Sequence, residues 1–146
     1  MTRLRAWLTD PGSPSWAAVA LRVVLGLVFL QAGLGKFVNY DEYVDRFDRW
    51  GFGFAPGAMA ILVGIVETLG ALALLTGVLP RVVSVVLIGN MVGAVLTAGR
   101  VEGGGTNVWL PLVLIVLLAV LVAVGSRRYA LLPALPARLL PGGRSD

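Results

Sequence analysis

The chain has 146 residues, 58% of them apolar with 19 glycines besides, only 14% charged, and a formal net charge of +4. Soluble domains carry ~25% charged residues, and a globule of this length cannot hide so much apolar surface from water, so disorder, rods and ordinary soluble folds are excluded. Cysteine and histidine are both absent, which removes disulfides, thiolate or imidazole metal and haem ligation, and any Ser-His-Asp triad.

Taken in chain order, Arg3 and Arg5 precede a first apolar segment over about residues 16–37. Crossing ~30 Å of hydrocarbon takes ~20 helical residues, and this segment is long enough. Its length and its internal Arg22 set it apart from a cleaved signal peptide. Arg22, Gly26, Leu30, Gly33 and Lys36 recur at helical spacing and form one stripe, with Gln31 beside it. Next, Tyr40, Tyr43, Val44, Phe47 and Trp50 share one helical face, while Asp41, Glu42, Asp45, Arg46, Asp48 and Arg49 fill the other. This predicts a short amphipathic helix over about 40–50, lying in the interface with its rings at headgroup level. Anchoring is favoured there over a lid. Gly51, Gly53, Pro56 and Gly57 then turn the chain back into the bilayer.

The second span covers about 58–79, where Gly57, Ala60, Gly64, Glu67 and Ala71 make a stripe with Glu67 near mid-depth. The third covers about 82–99. Asn90 lies near its mid-depth in line with Val86, Ala94 and Thr97, and Gly89 and Gly93 form a GxxxG pair suited to close helix contact. Gly103-Gly104-Gly105 follows no strand and matches no phosphate-binding spacing, so a flexible turn is expected. The fourth span, about 107–126, brings no ionisable group and is expected to serve as a packing wall. Residues 127–146 read as a cytoplasmic tail along the inner surface, with Arg127 and Arg128 near anionic headgroups. The fold class is an all-α membrane protein, a four-transmembrane-helix bundle with a short interfacial helix after the first span. Residues 1–146 form a single membrane domain.

An even number of crossings puts both termini and the link between spans two and three on one side. That side holds Arg3, Arg5, Arg81, Arg127, Arg128, Arg138 and Arg144. The other holds Lys36, Arg46, Arg49 and Arg100, mixed with acidic residues. Cytoplasmic termini are expected. Arginines beside apolar runs suit membrane orientation and not a nucleic-acid partner.

A charge at depth costs at least ~2.5 kcal/mol on insertion scales, so the few polar groups within the spans should face one another inside the bundle. Arg22 lies about 4 residues inward of its helix centre, ~6 Å, and Lys36 about 9 residues outward, ~14 Å. The expected core is therefore an Arg22–Glu67 ion pair with Asn90 and Gln31 adding hydrogen bonds, and Lys36 at the outer mouth. Gly26, Gly33, Gly64, Gly89 and Gly93 are expected at close helix contacts. Three readings of the polar set stand open: a pair that only fixes helix register, a pocket for a lipophilic headgroup such as quinone, or an Arg22 that snorkels to the inner surface.

Several of these residues carry a family resemblance. Arg22, Gly26 and Phe29, then Gly33-Leu34-Gly35-Lys36-Phe37, then Gly64, Glu67, Gly70, Gly77 and Arg81 in their spacing, resemble the DoxX family of small bacterial membrane proteins. Asn107 before Leu110-Pro111-Leu112 is similar to that family's last helix. At its far end the chain departs from the family, reading Gly125-Ser126-Arg127-Arg128-Tyr129 where a Gly-Pro-Gly-Arg-type turn is common. The resemblance implies a four-helix bundle in the bacterial cytoplasmic (inner) membrane. It also implies association with quinone-linked redox enzymes, since the family takes its name from a small subunit of a terminal quinol oxidase.

The function expected is a membrane subunit of a quinone-linked redox assembly. Arg22, Gln31, Glu67 and Asn90 would hold the headgroup, without a catalytic residue or covalent cofactor of the chain's own. Two alternatives stay open: a non-enzymatic scaffold or anchor for a soluble redox enzyme, and a small-solute binding or transport protein. Expected partners are the lipid bilayer, a soluble or membrane redox enzyme, and a second copy of the chain.

Overall fold

A computed structural model describes residues 16–124. The basic leader with Arg3 and Arg5 and the expected tail at 127–146 lie outside the described residues. Within them the chain forms α1 (Trp16–Val38), α2 (Tyr40–Phe47), a π-helical turn (Asp48–Phe52), α3 (Pro56–Thr76), α4 (Pro80–Leu96), α5 (Ala98–Val101) and α6 (Thr106–Val124). Four helices are long and apolar enough to cross a membrane. All four coincide with the spans read from the sequence, with ends shifted by a few residues.

Local chemistry explains those ends. Proline occupies the first turn of both α3 and α4, where its missing N–H is no loss. Gly77, at φ 75°, closes α3, and Val78 N donates to Ala73 O at 2.9 Å, so the turn into α4 is tight. Thr97 stops α4 at φ −106° and ψ −80°, its hydroxyl donating back to Gly93 O at 2.8 Å. The predicted helix over 40–50 is α-helical as far as Phe47. It then widens into the π turn, where Gly51 at φ 101° re-aims the chain in a conformation that strains other residues. The glycine run in the loop between α5 and α6 follows a left-handed path, with φ 61°, 60° and 58° at Gly103, Gly104 and Gly105.

α1 packs most extensively against α3, and α4 against α6, while α3 with α4 and α1 with α6 join the two pairs. Small residues set the first contact. A Cβ at Gly26 would lie 2.7 Å from Leu75 Cγ, one at Gly33 would lie 2.8 Å from Thr68 N, and one at Gly64 3.0 Å from Phe37 Cζ. Helix backbones therefore touch where a side chain would hold them apart. Leu25, Leu74, Leu87, Leu118 and Leu121, with no measurable exposure, close the half of the bundle that holds the α3–α4 turn, called inner here after the orientation expected from charge. Residues such as Val24, Leu69 and Val116 point outward, as a lipid-facing surface requires. Trp16 and Trp109, near opposite ends of the bundle, are exposed like the rings of interfacial belts.

The α1–α3 contact fixes a register that the depth arithmetic did not anticipate. Gly33 meets Gly64 and Thr68, and Gly26 meets Ala71 and Leu75. Three residues beyond Gly33, ~4.5 Å along the axis, Lys36 comes level with Gly64, and its side chain points back along α1 to meet Glu67. Arg22, eleven residues before Gly33, falls ~16 Å to the inner side.

Candidate functional site: a cavity in the outer half of the bundle

Where the four long helices stand apart, above the leucine layer, they enclose a cavity of about 500 Å³. Its walls are apolar side chains, among them Val28, Phe29, Val63, Met91, Ala94 and Leu114. Its polar floor is a set of three side chains from three helices. Lys36 Nζ on α1 donates to Glu67 Oε2 on α3 at 2.6 Å. Asn90 Nδ2 on α4 donates to the other carboxylate oxygen, Oε1, at 2.9 Å. Lys36 also reaches its own helix, 3.3 Å to Ala32 O. The ion pair is deeply buried, with 10% and 4% of the two side chains exposed, so both charges depend on each other for solvation.

The roof comes from the segment after α1. α2 turns its aromatic face down onto the bundle, where Tyr43 and Phe47 line the cavity together with Trp50 and Phe52. Lys36 Nζ lies 5.0 Å from the Tyr43 ring centroid, and Arg46 Cζ lies 5.4 Å from the same ring. Phe47 meets Trp50 edge-on at 5.0 Å and Phe52 at 5.7 Å. Trp50 Nε1 donates to Glu102 Oε1 at 2.9 Å, and Arg49 stands 3.9 Å from that oxygen, which ties the roof to the loop between α5 and α6. Thr97, Thr106 and Asn107 add polar atoms around the cavity.

Of the expected polar set, the structure unites Glu67 and Asn90 and exchanges the cation. Lys36 is the ion-pair partner and sits inside the bundle, 8% exposed, and not at an outer mouth. Arg22 is buried too, 2% exposed, but the register carries it toward the inner end of α1, and Glu67's oxygens are bonded by Lys36 and Asn90. Gln31 is exposed on the outside of α1 and does not line the cavity. Among the glycines, Gly26, Gly33 and Gly64 sit at helix contacts. Gly89 and Gly93 do not: a Cβ at either would meet nothing within 4 Å, because both line the cavity. The fourth span is more than a wall for packing, since Leu110, Pro111 and Leu114 line the cavity.

The pairing of Trp50 with Glu102 was not legible in the sequence. Their bond spans two loops, and no periodicity links residues so far apart in the chain. The aromatic spacing of 40–50 was a signal for the roof, but an interfacial face and a face packed on a bundle have the same periodicity.

The model of the DoxX family matches residues 17–100 of the chain. A protein of Mycobacterium tuberculosis (strain ATCC 25618 / H37Rv), named "Uncharacterized membrane protein Rv3486", is 35% identical over 101 residues, covering 60% of each chain. "Putative oxidoreductase CatD" of Bacillus subtilis (strain 168) is 29% identical over 77 residues, 53% of this chain and 55% of that one. The chain thus spans somewhat over half the length of each of these relatives. No solved structure gives a significant match. The matched region holds Lys36, Glu67 and Asn90 together with the roof that covers them, and more than half of the chain falls within it: this all-helical, multi-pass membrane protein belongs to the DoxX family.

Proposed function

We propose that the cavity binds the headgroup of a quinone, and that the chain serves as the membrane subunit of a quinone-linked redox assembly. The observation that carries this reading is the polar floor of Lys36, Glu67 and Asn90 at the base of an otherwise apolar, aromatic-roofed cavity. Ligand pockets commonly enclose ~300–1,000 Å³, lined by apolar groups with a few placed polar ones, and a volume of about 500 Å³ suits a one- or two-ring head. A quinone presents two carbonyl acceptors and a flat ring. An ammonium has three N–H donors and a primary amide two, so Lys36 and Asn90 have donors beyond those committed to Glu67 and Ala32. Tyr43, Phe47 and Trp50 offer ring faces and edges. Glu67 can accept from the hydroxyls of the reduced form.

The name of the Bacillus subtilis relative supports the redox side of this reading. Electrons would come from a partner enzyme, and the quinone would supply the two-electron chemistry. In this reading the chain's own part is to hold the ring, orient its oxygens and keep water from it. The protein would sit in the bacterial cytoplasmic membrane with both termini inside and the roof outside. A purely structural role for the ion pair is the competing reading.

The test is a titration of the purified full-length protein with soluble 1,4-benzoquinones and 1,4-naphthoquinones, set beside the double variant Lys36→Met/Glu67→Met. Removing both partners of a buried pair is often neutral for stability, so this variant separates the two roles. Saturable binding by the wild type and its loss in a folded double variant is the expected result. Equal binding by both proteins, or none by the wild type, overturns the proposal.

A further inference from the structure

The cavity has a side as well as a floor and a roof. α3 and α4 are tied at their inner ends by the Gly77 turn and touch at Gly70, where a Cβ would stand 2.9 Å from Leu87 Cδ2. Beyond that contact they are bridged by the Asn90–Glu67 hydrogen bond, and farther out they part. Gly89 and Gly93 on α4 meet nothing within 4 Å where a Cβ would be. Both are exposed, yet both line the cavity. Leu62 on α3 has the same double character, lining the cavity while 54% exposed. Residues that belong to both the inner and the outer surface mark where the two meet. The outer end is roofed instead, by rings held through the Trp50–Glu102 bond.

We infer that the gap between α3 and α4 is a lateral portal from the bilayer, and that the hydrocarbon tail of the bound ligand lies in it, with Gly89 and Gly93 as its sill. This rests on the quinone reading and names where the tail runs. A tailed quinone is dissolved among acyl chains. Access through the side lets its head reach Lys36, Glu67 and Asn90 while the tail stays in hydrocarbon throughout. Access through the roof would draw the tail past the headgroups and break the Trp50 anchor. Two glycines keep the sill low, because any side chain there would project into open space that a polyprenyl chain needs. The open space also means that a larger residue meets no packed neighbour, so the sill can be raised without disturbing the bundle.

Full-length protein in lipid nanodiscs is titrated with a tail-free quinone and with its decyl-tailed counterpart, following quenching of tryptophan fluorescence. The variants are Gly93→Leu and, independently, Gly89→Leu, each checked for an unchanged melting temperature. We expect the affinity for the tailed compound to fall by at least about tenfold more than that for the tail-free compound in each variant. Unchanged affinity for both compounds, or parallel loss of both, overturns the portal. A wild type that binds neither compound overturns the quinone reading itself, and the portal with it.

Discussion

Glu67 is the residue on which the interior turns. A carboxylate at this depth persists only with both oxygens satisfied, and Lys36 and Asn90 satisfy one each. Breaking a buried pair from one side strands a charge and costs roughly 3–5 kcal/mol. Glu67→Gln and Lys36→Met should therefore each lower the melting temperature in detergent, and the double Lys36→Met/Glu67→Met variant should recover most of the loss. Additive losses in the double variant would show that the two residues are not coupled. Glu67 and Asn90 were legible in the sequence, because helical periodicity and the rarity of polar groups at depth single them out. Their cation was not. Periodicity tells which side chains share a face, but the sliding of one helix against another is decided by packing, here by Gly33 seated on Gly64 and Thr68.

At the level of the elements, five glycines that look alike in sequence divide into two kinds. Gly26, Gly33 and Gly64 let α1 and α3 touch, so Gly33→Ala should destabilise by about 1–3 kcal/mol through overpacking. Gly89→Ala meets open space and should be neutral or stabilising by up to ~1 kcal/mol, the gain of replacing glycine within a helix. Thermal unfolding of the two variants side by side checks both. The GxxxG spacing of Gly89 and Gly93 promised a helix contact; a cavity wall needs small residues just as a contact does, and the spacing does not tell them apart. The roof packs on α3 and is tied to the loop after α5 through Trp50 and Glu102. Trp50→Phe removes the bond to Glu102 while keeping an aromatic ring, at a cost of about 1 kcal/mol, and amide hydrogen exchange over residues 40–52 should quicken. Unchanged exchange there would mean that ring packing alone holds the roof.

For the whole molecule, the four spans were the most legible feature, since long apolar runs without turn signals leave the backbone no alternative to helices in lipid. Charge is the argument for placing the roof on the outer side. With Lys36 withdrawn into the bundle, the outer connections carry only Arg46, Arg49 and Arg100 as cations, and two of these stand beside carboxylates, Arg46 at 2.7 Å from Glu42 and Arg49 at 3.9 Å from Glu102. The chain contains no cysteine, so single cysteines report topology directly. Asp41→Cys should react with a membrane-impermeant maleimide in intact cells, and Val78→Cys only after permeabilisation; the reverse pattern would invert the molecule. In the proposed reading the portal, floor and roof hold a lipid-soluble molecule. The most direct measurement of that claim is mass spectrometry of the lipids extracted from full-length protein purified in mild detergent. Near-stoichiometric quinone in the wild type and its depletion in the folded Lys36→Met/Glu67→Met variant is the predicted result. Equal quinone content in the two proteins, or none in either, would contradict it.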